Sequence, residues 1–222
     1  MPQTEPPIET IPDRVQTRLL ARSFFNRDPR EVGHDLLGKL IVRKEGSMRL
    51  AGRIVEVEAY LGARDAAAHS AAGRTERNDV LFGRPGRAYV YFIYGVHYCL
   101  NISCMPAGKA GCVLIRALEP LDGFQIMARA RGLEPFNSGS PRDLRKLTSG
   151  PGRLCDALVI SRSRDNGKDM VARKSDLQVR DDGFRPAQVR ATRRIGITKS
   201  STMPLRYIIA DNPFVSRGST KV

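Results

Sequence analysis

A chain of 222 residues that is 41% hydrophobic can bury one sizeable core, and its length favours one domain over two. No apolar run reaches the length of a membrane span, and none of the four cysteines (Cys99, Cys104, Cys112, Cys155) sits in a C-x-x-C pair, which excludes a membrane-spanning protein and a zinc ribbon as first readings. A net charge of +14 points instead to an anionic partner: a nucleic acid, DNA or ribosomal RNA, or an anionic surface.

The first 13 residues are proline-rich and polar, without a hydrophobic signal core, and read as a flexible tail on an intracellular protein of the cytoplasm, nucleoid or nucleus. Residues 14–218 then form the single domain. Asp28-Pro29 is an N-cap and N1 pair for a helix running to about Leu37 and stopped by Gly38. Strands follow at Leu40 to Arg43 and Leu50 to Tyr60. In the second of these, period-2 alternation places Ile54, Glu56, Glu58 and Tyr60 on one face. Two carboxylates sharing a face repel each other if buried and need a cation or donor, for which Arg116, alone within the apolar stretch Cys112 to Leu118, is the candidate. The plain alternative is a solvated strand face with a surface ion pair.

Ala88 to Tyr94 and His97 to Ser103 flank Gly95-Val96, a pattern that predicts a hairpin closed by a two-residue turn with Tyr94 at its tip. A tip aromatic serves either as a lid on the core or as a wedge into a base stack. Farther on, helices are expected over Asp122 to Arg131, from Ser140-Pro141, and over Arg153 to Val159 after Gly150-Pro151-Gly152. Strands are expected at Leu177 to Arg180, Val189 to Ile197 and Leu205 to Ala210. The segment Leu147 to Arg153 reads as a helix connector, with a phosphate-binding turn as its weaker alternative. The whole reads as an α+β domain: a mostly antiparallel curved β-sheet flanked by helices, with a protruding β-hairpin. Residues 1–60 hold 10 Lys or Arg against 9 Asp or Glu, and residues 61–222 hold 27 against 14, so the basic excess belongs to the body beyond the carboxylate strand.

The motifs carry a resemblance that covers nearly the whole chain in order. They are E-x-E-A-Y at Glu56 to Tyr60, A-A-H-S at Ala67 to Ser70, G-R-T-x-R-N at Gly73 to Asn78, and Y-V-Y-x-I-Y-G at Tyr89 to Gly95. N-I-S at Asn101 to Ser103, R-A-L-E-P at Arg116 to Pro120, L-T-x-G-P at Leu147 to Pro151, R-I-G at Arg194 to Gly196 and P-L-R-Y at Pro204 to Tyr207 complete the set. In these the chain resembles the alkyladenine (3-methyladenine) DNA glycosylases of the mammalian type. That resemblance implies a monofunctional, monomeric enzyme without metal or cofactor. Its partner would be double-stranded DNA containing damaged purines. It would flip an alkylated or deaminated purine out of the duplex and hydrolyse its N-glycosidic bond.

The resemblance makes Glu58 the general base and Arg116 the residue that helps to place its water. Tyr60, His69 and Tyr91 become the pocket wall, Asn101 the floor that excludes normal guanine, and Tyr94 the side chain that fills the vacated stack. The implied substrates are 3-methyladenine and 7-methylguanine, extending to hypoxanthine and ethenoadenine. Glu76, His97 and the Ile197 to Thr202 loop depart from the family pattern. The rival readings are a lesion-binding or RNA-binding protein without catalysis, and a bifunctional glycosylase/lyase. The last would need an amine nucleophile, and no lysine lies between Lys44 and Lys109 while Pro2 sits in the expected tail.

Overall fold

The computed structural model describes residues 17–46, 48–93 and 95–216. The strands among them form one sheet with every pairing antiparallel. They are β1 (Arg18–Leu19), β2 (Leu40–Glu45), β3 (Met48–Tyr60), β4 (Ala88–Ile93), β5 (His97–Ser103), β6 (Cys112–Asp122), β7 (Leu177–Asp181), β8 (Val189–Thr192) and β9 (Arg206–Ile209). The main path runs β1-β7-β2-β3-β6-β5-β4, and a β8-β9 hairpin joins through β9 to β3. β3 is the axis. β2 covers one edge of it as far as Arg53, β9 takes over that edge at Glu56 to Glu58, and β6 lines the other edge from Ala51 to Tyr60.

The helices are α1 (Arg22–Phe25), α2 (Pro29–Leu36), α3 (Phe124–Ala130), α4 (Pro141–Thr148), α5 (Pro151–Ala157) and α6 (Arg162–Asp165). The capping logic of the sequence holds at α2, where Asp28 accepts from Arg30 N and Gly38, at φ +86°, turns the chain out of the helix. It holds again at α4, where the Ser140 hydroxyl accepts from Asp143 N.

The alternation of the central strands divides the sheet into two faces with different uses. Val57, Ile115, Ala117, Leu100, Ile102, Ala88 and Val90 point to one face and join Val32, Leu36, Met127, Leu144, Leu147, Leu154 and Cys155 of the helices in the main core. Each fully buried Val, Leu, Ile or Met side chain there contributes about 1.5–3 kcal/mol. Their neighbours in sequence, Glu58, Leu114, Asn101, Tyr89 and Tyr91, point the other way and line a cavity. All four cysteines are buried free thiols.

Several expected boundaries move. The helix expected from Asp122 begins at Phe124, because β6 continues to Asp122 in register with Ala51. The helix placed after Gly150-Pro151-Gly152 starts inside that triplet, with Pro151 at its first turn where the missing N–H costs nothing. The strand expected over Val189 to Ile197 ends at Thr192, because Arg194 turns inward to a buried carboxylate. In the hairpin, β4 and β5 end at Ile93 and His97, so three residues rather than two connect them. Tyr94, expected at the tip, lies outside the described residues, as do residues 1–13, expected to be a tail. Among the described residues no helix is long and apolar enough to cross a membrane.

Candidate active site

The floor of the cavity is one row of the sheet. Glu58 pairs with Leu114, Leu114 with Asn101 and Asn101 with Tyr89, so four adjacent strands contribute neighbouring side chains to one face. All four line a cavity of about 500 Å³. Tyr60, His69, Tyr91 and Ile195 supply walls from β3, the loop after it, β4 and the loop after β8. Pro151 reaches the same cavity, so the Leu147 to Arg153 connector is more than a spacer. Thr148 Oγ1 fastens it by donating to Leu118 O at 2.6 Å, and Ser149 bridges to Ala117 beside Arg116.

Two bulges aim the charged groups. Between the pairs Ile54–Leu118 and Glu56–Ala117 the strand β3 holds one extra residue, Val55, and between Glu56–Ala117 and Val57–Ile115 the strand β6 holds Arg116. Bulges of this kind re-aim side chains. Strict alternation therefore fails at Ile54, which joins Val55 and Val57 in the main core, while Glu56, Glu58 and Tyr60 converge as expected. Arg116 stands between the carboxylates: its Nε donates to Glu56 Oε1 at 2.9 Å and its Nη1 lies 3.2 Å from Glu58 Oε1.

The two carboxylates, both fully buried, are treated differently. Glu56 accepts from Arg206 Nε at 2.7 Å, Ser216 N at 2.7 Å and Ser216 Oγ at 2.9 Å in addition to Arg116, and it does not line the cavity. Burial pushes its carboxyl up, but the Arg116 and Arg206 guanidiniums and the Ser216 hydroxyl hold it below the usual range. Glu58 lines the cavity, accepting from Tyr60 Oη at 2.9 Å and from Ile195 N at 2.8 Å. Burial and the neighbouring Glu58 push the Tyr60 phenol far above its ordinary value, so it remains a donor.

The walls are aromatic and mutually braced. His69 Nδ1 shares a hydrogen bond with Tyr89 Oη at 3.0 Å, and its ring meets Tyr91 edge-on with centroids 4.5 Å apart. Burial, and after it the Arg77 guanidinium, lower the His69 pKa, which favours the uncharged ring at neutral pH. Burial lifts Tyr89 to about 12 and Tyr91 higher still. Asn101 is buried, with its amide Nδ2 held by Tyr89 O at 3.2 Å. Glu58, Arg116, Tyr60, His69, Tyr91 and Asn101 thus line one cavity.

Several contributors were not singled out. Tyr89 and Arg77 line the cavity. Asn78 accepts from Thr75 N and donates to His69 O and Gly73 O, closing the Gly73 to Asn78 turn. Arg194 stacks 4.5 Å from the Tyr60 ring centroid and pairs with buried Asp65 at 2.5 Å, which seats Ile195 against Glu58. Of the departures from the family pattern, Glu76 is exposed and Ile197 lines the cavity. His97 packs on Gly152, where even a methyl group would meet its ring at 2.8 Å, and its Nδ1 lies 3.3 Å from Asp156. Among the described residues no group of three His, Cys, Asp or Glu side chains is arranged to hold a metal ion.

An acidic side chain and an arginine facing an aromatic-walled cavity of about 500 Å³ suit hydrolysis beside a planar ligand. Comparison with known proteins places the chain in a family. The model of the methylpurine-DNA glycosylase family matches residues 23–213. A Koribacter versatilis protein named "Putative 3-methyladenine DNA glycosylase" is 64% identical over 202 residues, covering 91% of this chain and 95% of that protein. Proteins of the same name from Alkaliphilus oremlandii and Clostridium botulinum are 44% and 41% identical, each covering 89% of this chain and 98% of its own length. The chain belongs to the methylpurine-DNA glycosylase family and is a DNA-3-methyladenine glycosylase of alkylated-purine repair.

Proposed function

We propose that this glycosylase takes 3-methyladenine and 7-methylguanine from duplex DNA by flipping the damaged nucleotide into the cavity and hydrolysing its N-glycosidic bond with water that Glu58 deprotonates. The carrying observation is the asymmetry of the two carboxylates: Glu56 is enclosed by protein donors, whereas Glu58 faces the cavity beside Arg116. As the bond breaks, its electron pair leaves with the base and positive charge develops on the sugar. Water adds its oxygen to the sugar carbon, and its proton passes to Glu58, a role typically worth about 10²–10⁴ in rate. Arg116 helps to place that water, and Tyr60 and Ile195 N keep the Glu58 carboxylate aimed.

A base that is already cationic departs as a neutral molecule, so it needs no proton from the enzyme. It also stacks well between tyrosines, and a neutral His69 avoids repelling it. Asn101 is assigned the discrimination against normal guanine, by meeting its exocyclic amino group. Hypoxanthine and ethenoadenine are neutral and require leaving-group stabilisation, so their release is expected to be slower. No lysine lines the cavity among the described residues, in keeping with hydrolysis without strand cleavage. Tyr94 is assigned the gap left in the stack.

The test is incubation with duplex oligonucleotides carrying each lesion, followed by alkali cleavage at the abasic sites. The expected order is methylated cationic purines ahead of hypoxanthine and ethenoadenine, with no nicking before alkali. Equal rates for cationic and neutral lesions would contradict the leaving-group argument.

A further inference from the structure

We propose that Arg206 and Ser216 are positioning residues of the excision reaction: acting through Glu56, they keep Arg116 divided between the two carboxylates and so set the position and the local charge felt by Glu58. The inference rests on Glu58 being the base. Arg206 sits opposite Glu58 in the β3–β9 register, yet its side chain runs diagonally to Glu56. Its Nη1 donates to Thr192 Oγ1 at 3.0 Å and its Nη2 to Ser216 O at 3.4 Å, fastening the segment that returns both Ser216 N and Ser216 Oγ to Glu56.

A carboxylate has about four acceptor positions. Arg206 Nε and Ser216 Oγ crowd Glu56 Oε1 beside Arg116 Nε, and Ser216 N holds Oε2, so Arg116 meets Glu56 through Nε alone. The other end of the guanidinium, Nη1, is thereby left to Glu58. Without Arg206 and Ser216, Glu56 would be free to accept both ends of Arg116 and draw it off Glu58. Charge follows the same logic. Glu56 and Glu58 are matched by Arg116 and Arg206, and among the described residues the other titratable or charged groups that act on Glu58 are Tyr60 of β3, Cys99 of β5 and Arg194 beyond β8. Removing Arg206 leaves an uncompensated negative charge beside the base, and like charge favours protonation.

The experiment measures single-turnover release of 3-methyladenine from methylated duplex DNA across pH, with thermal melting of each variant. Arg206→Gln is expected to slow release about tenfold at neutral pH and to move the acid limb of the rate profile upward by about one pH unit, in line with loss of a nearby opposite charge. Arg206→Lys is expected to return the limb to its wild-type position. Ser216→Ala keeps the backbone N–H bond, so a several-fold loss with the limb in place is expected. A folded Arg206→Gln with wild-type rate and limb overturns the proposal. If Arg206→Gln does not fold, Ser216→Ala decides: a several-fold loss at unchanged melting temperature supports it, and a wild-type rate overturns it. Glu58→Gln run in parallel separates the two readings. An active Glu58→Gln removes the base assignment itself, whereas an inactive Glu58→Gln beside wild-type Arg206→Gln and Ser216→Ala removes only the positioning role.

Discussion

Tyr91 shows how much of the site a single side chain carries. It is braced edge-on by His69 and shares the cavity with Tyr60 and Tyr89. Stacking of a base on an aromatic is worth about 1–3 kcal/mol, or about 5- to 150-fold in affinity. Tyr91→Ala is therefore expected to weaken binding to lesion-bearing duplex by that range, and Tyr91→Phe to preserve it; equilibrium titration of a catalytically inactive background checks both. Alternation marked the strand face that carries Glu58, and the resemblance to the family marked Tyr91. Arg206 and Ser216 were not legible: they lie 150 and 160 residues from Glu56, and no local pattern marks a hydrogen bond at that separation. Ile54 was misplaced for a related reason, since a bulge adds a residue without leaving a mark in the period.

At the scale of elements, the hairpin and the loop after β8 bring recognition and chemistry to the sheet. β4 and β5 place Tyr89, Tyr91, Cys99 and Asn101 in the cavity and are joined by Tyr94-Gly95-Val96. If Tyr94 fills the stack after flipping, which itself costs a few kcal/mol, Tyr94→Ala should lower single-turnover excision at least tenfold while changing folding stability by no more than about 0.5 kcal/mol. Unchanged excision in a folded variant would return Tyr94 to a lid. Long elements with clear caps or alternation, such as α2 and β3, were read within a few residues. The expected strand over Val189 to Ile197 was cut short because the buried Asp65–Arg194 pair overrides the β-propensity of Ile195 and Ile197. β1, α1 and α6 escaped notice because two to four residues are too few to show a period.

At the scale of the whole molecule, one sheet separates two jobs. The face toward the helices is apolar apart from the buried Arg43–Asp165 pair and supplies the main core, and the opposite face, with the loops around it, holds Glu58, Arg116 and the cavity. The basic excess of residues 61–222 surrounds that arrangement in sequence and suits a phosphate backbone. Affinity for undamaged duplex is accordingly expected to fall linearly on a log–log plot against salt, with a slope of about −0.9 for each phosphate neutralised. A binding constant flat with salt would contradict electrostatic tracking of the backbone.

The measurement closest to the centre of the account is single-turnover excision of 7-methylguanine from duplex DNA by Glu58→Gln and Glu56→Gln, where slow product release cannot hide the chemical step. Glu58→Gln keeps the shape of the side chain and removes the base, so its rate should fall by about 10²–10⁴ with lesion binding retained. Glu56→Gln should act through a lower melting temperature and the altered placement of Arg116, with a loss of excision well short of that of Glu58→Gln. Normal excision by Glu58→Gln would contradict the proposed mechanism.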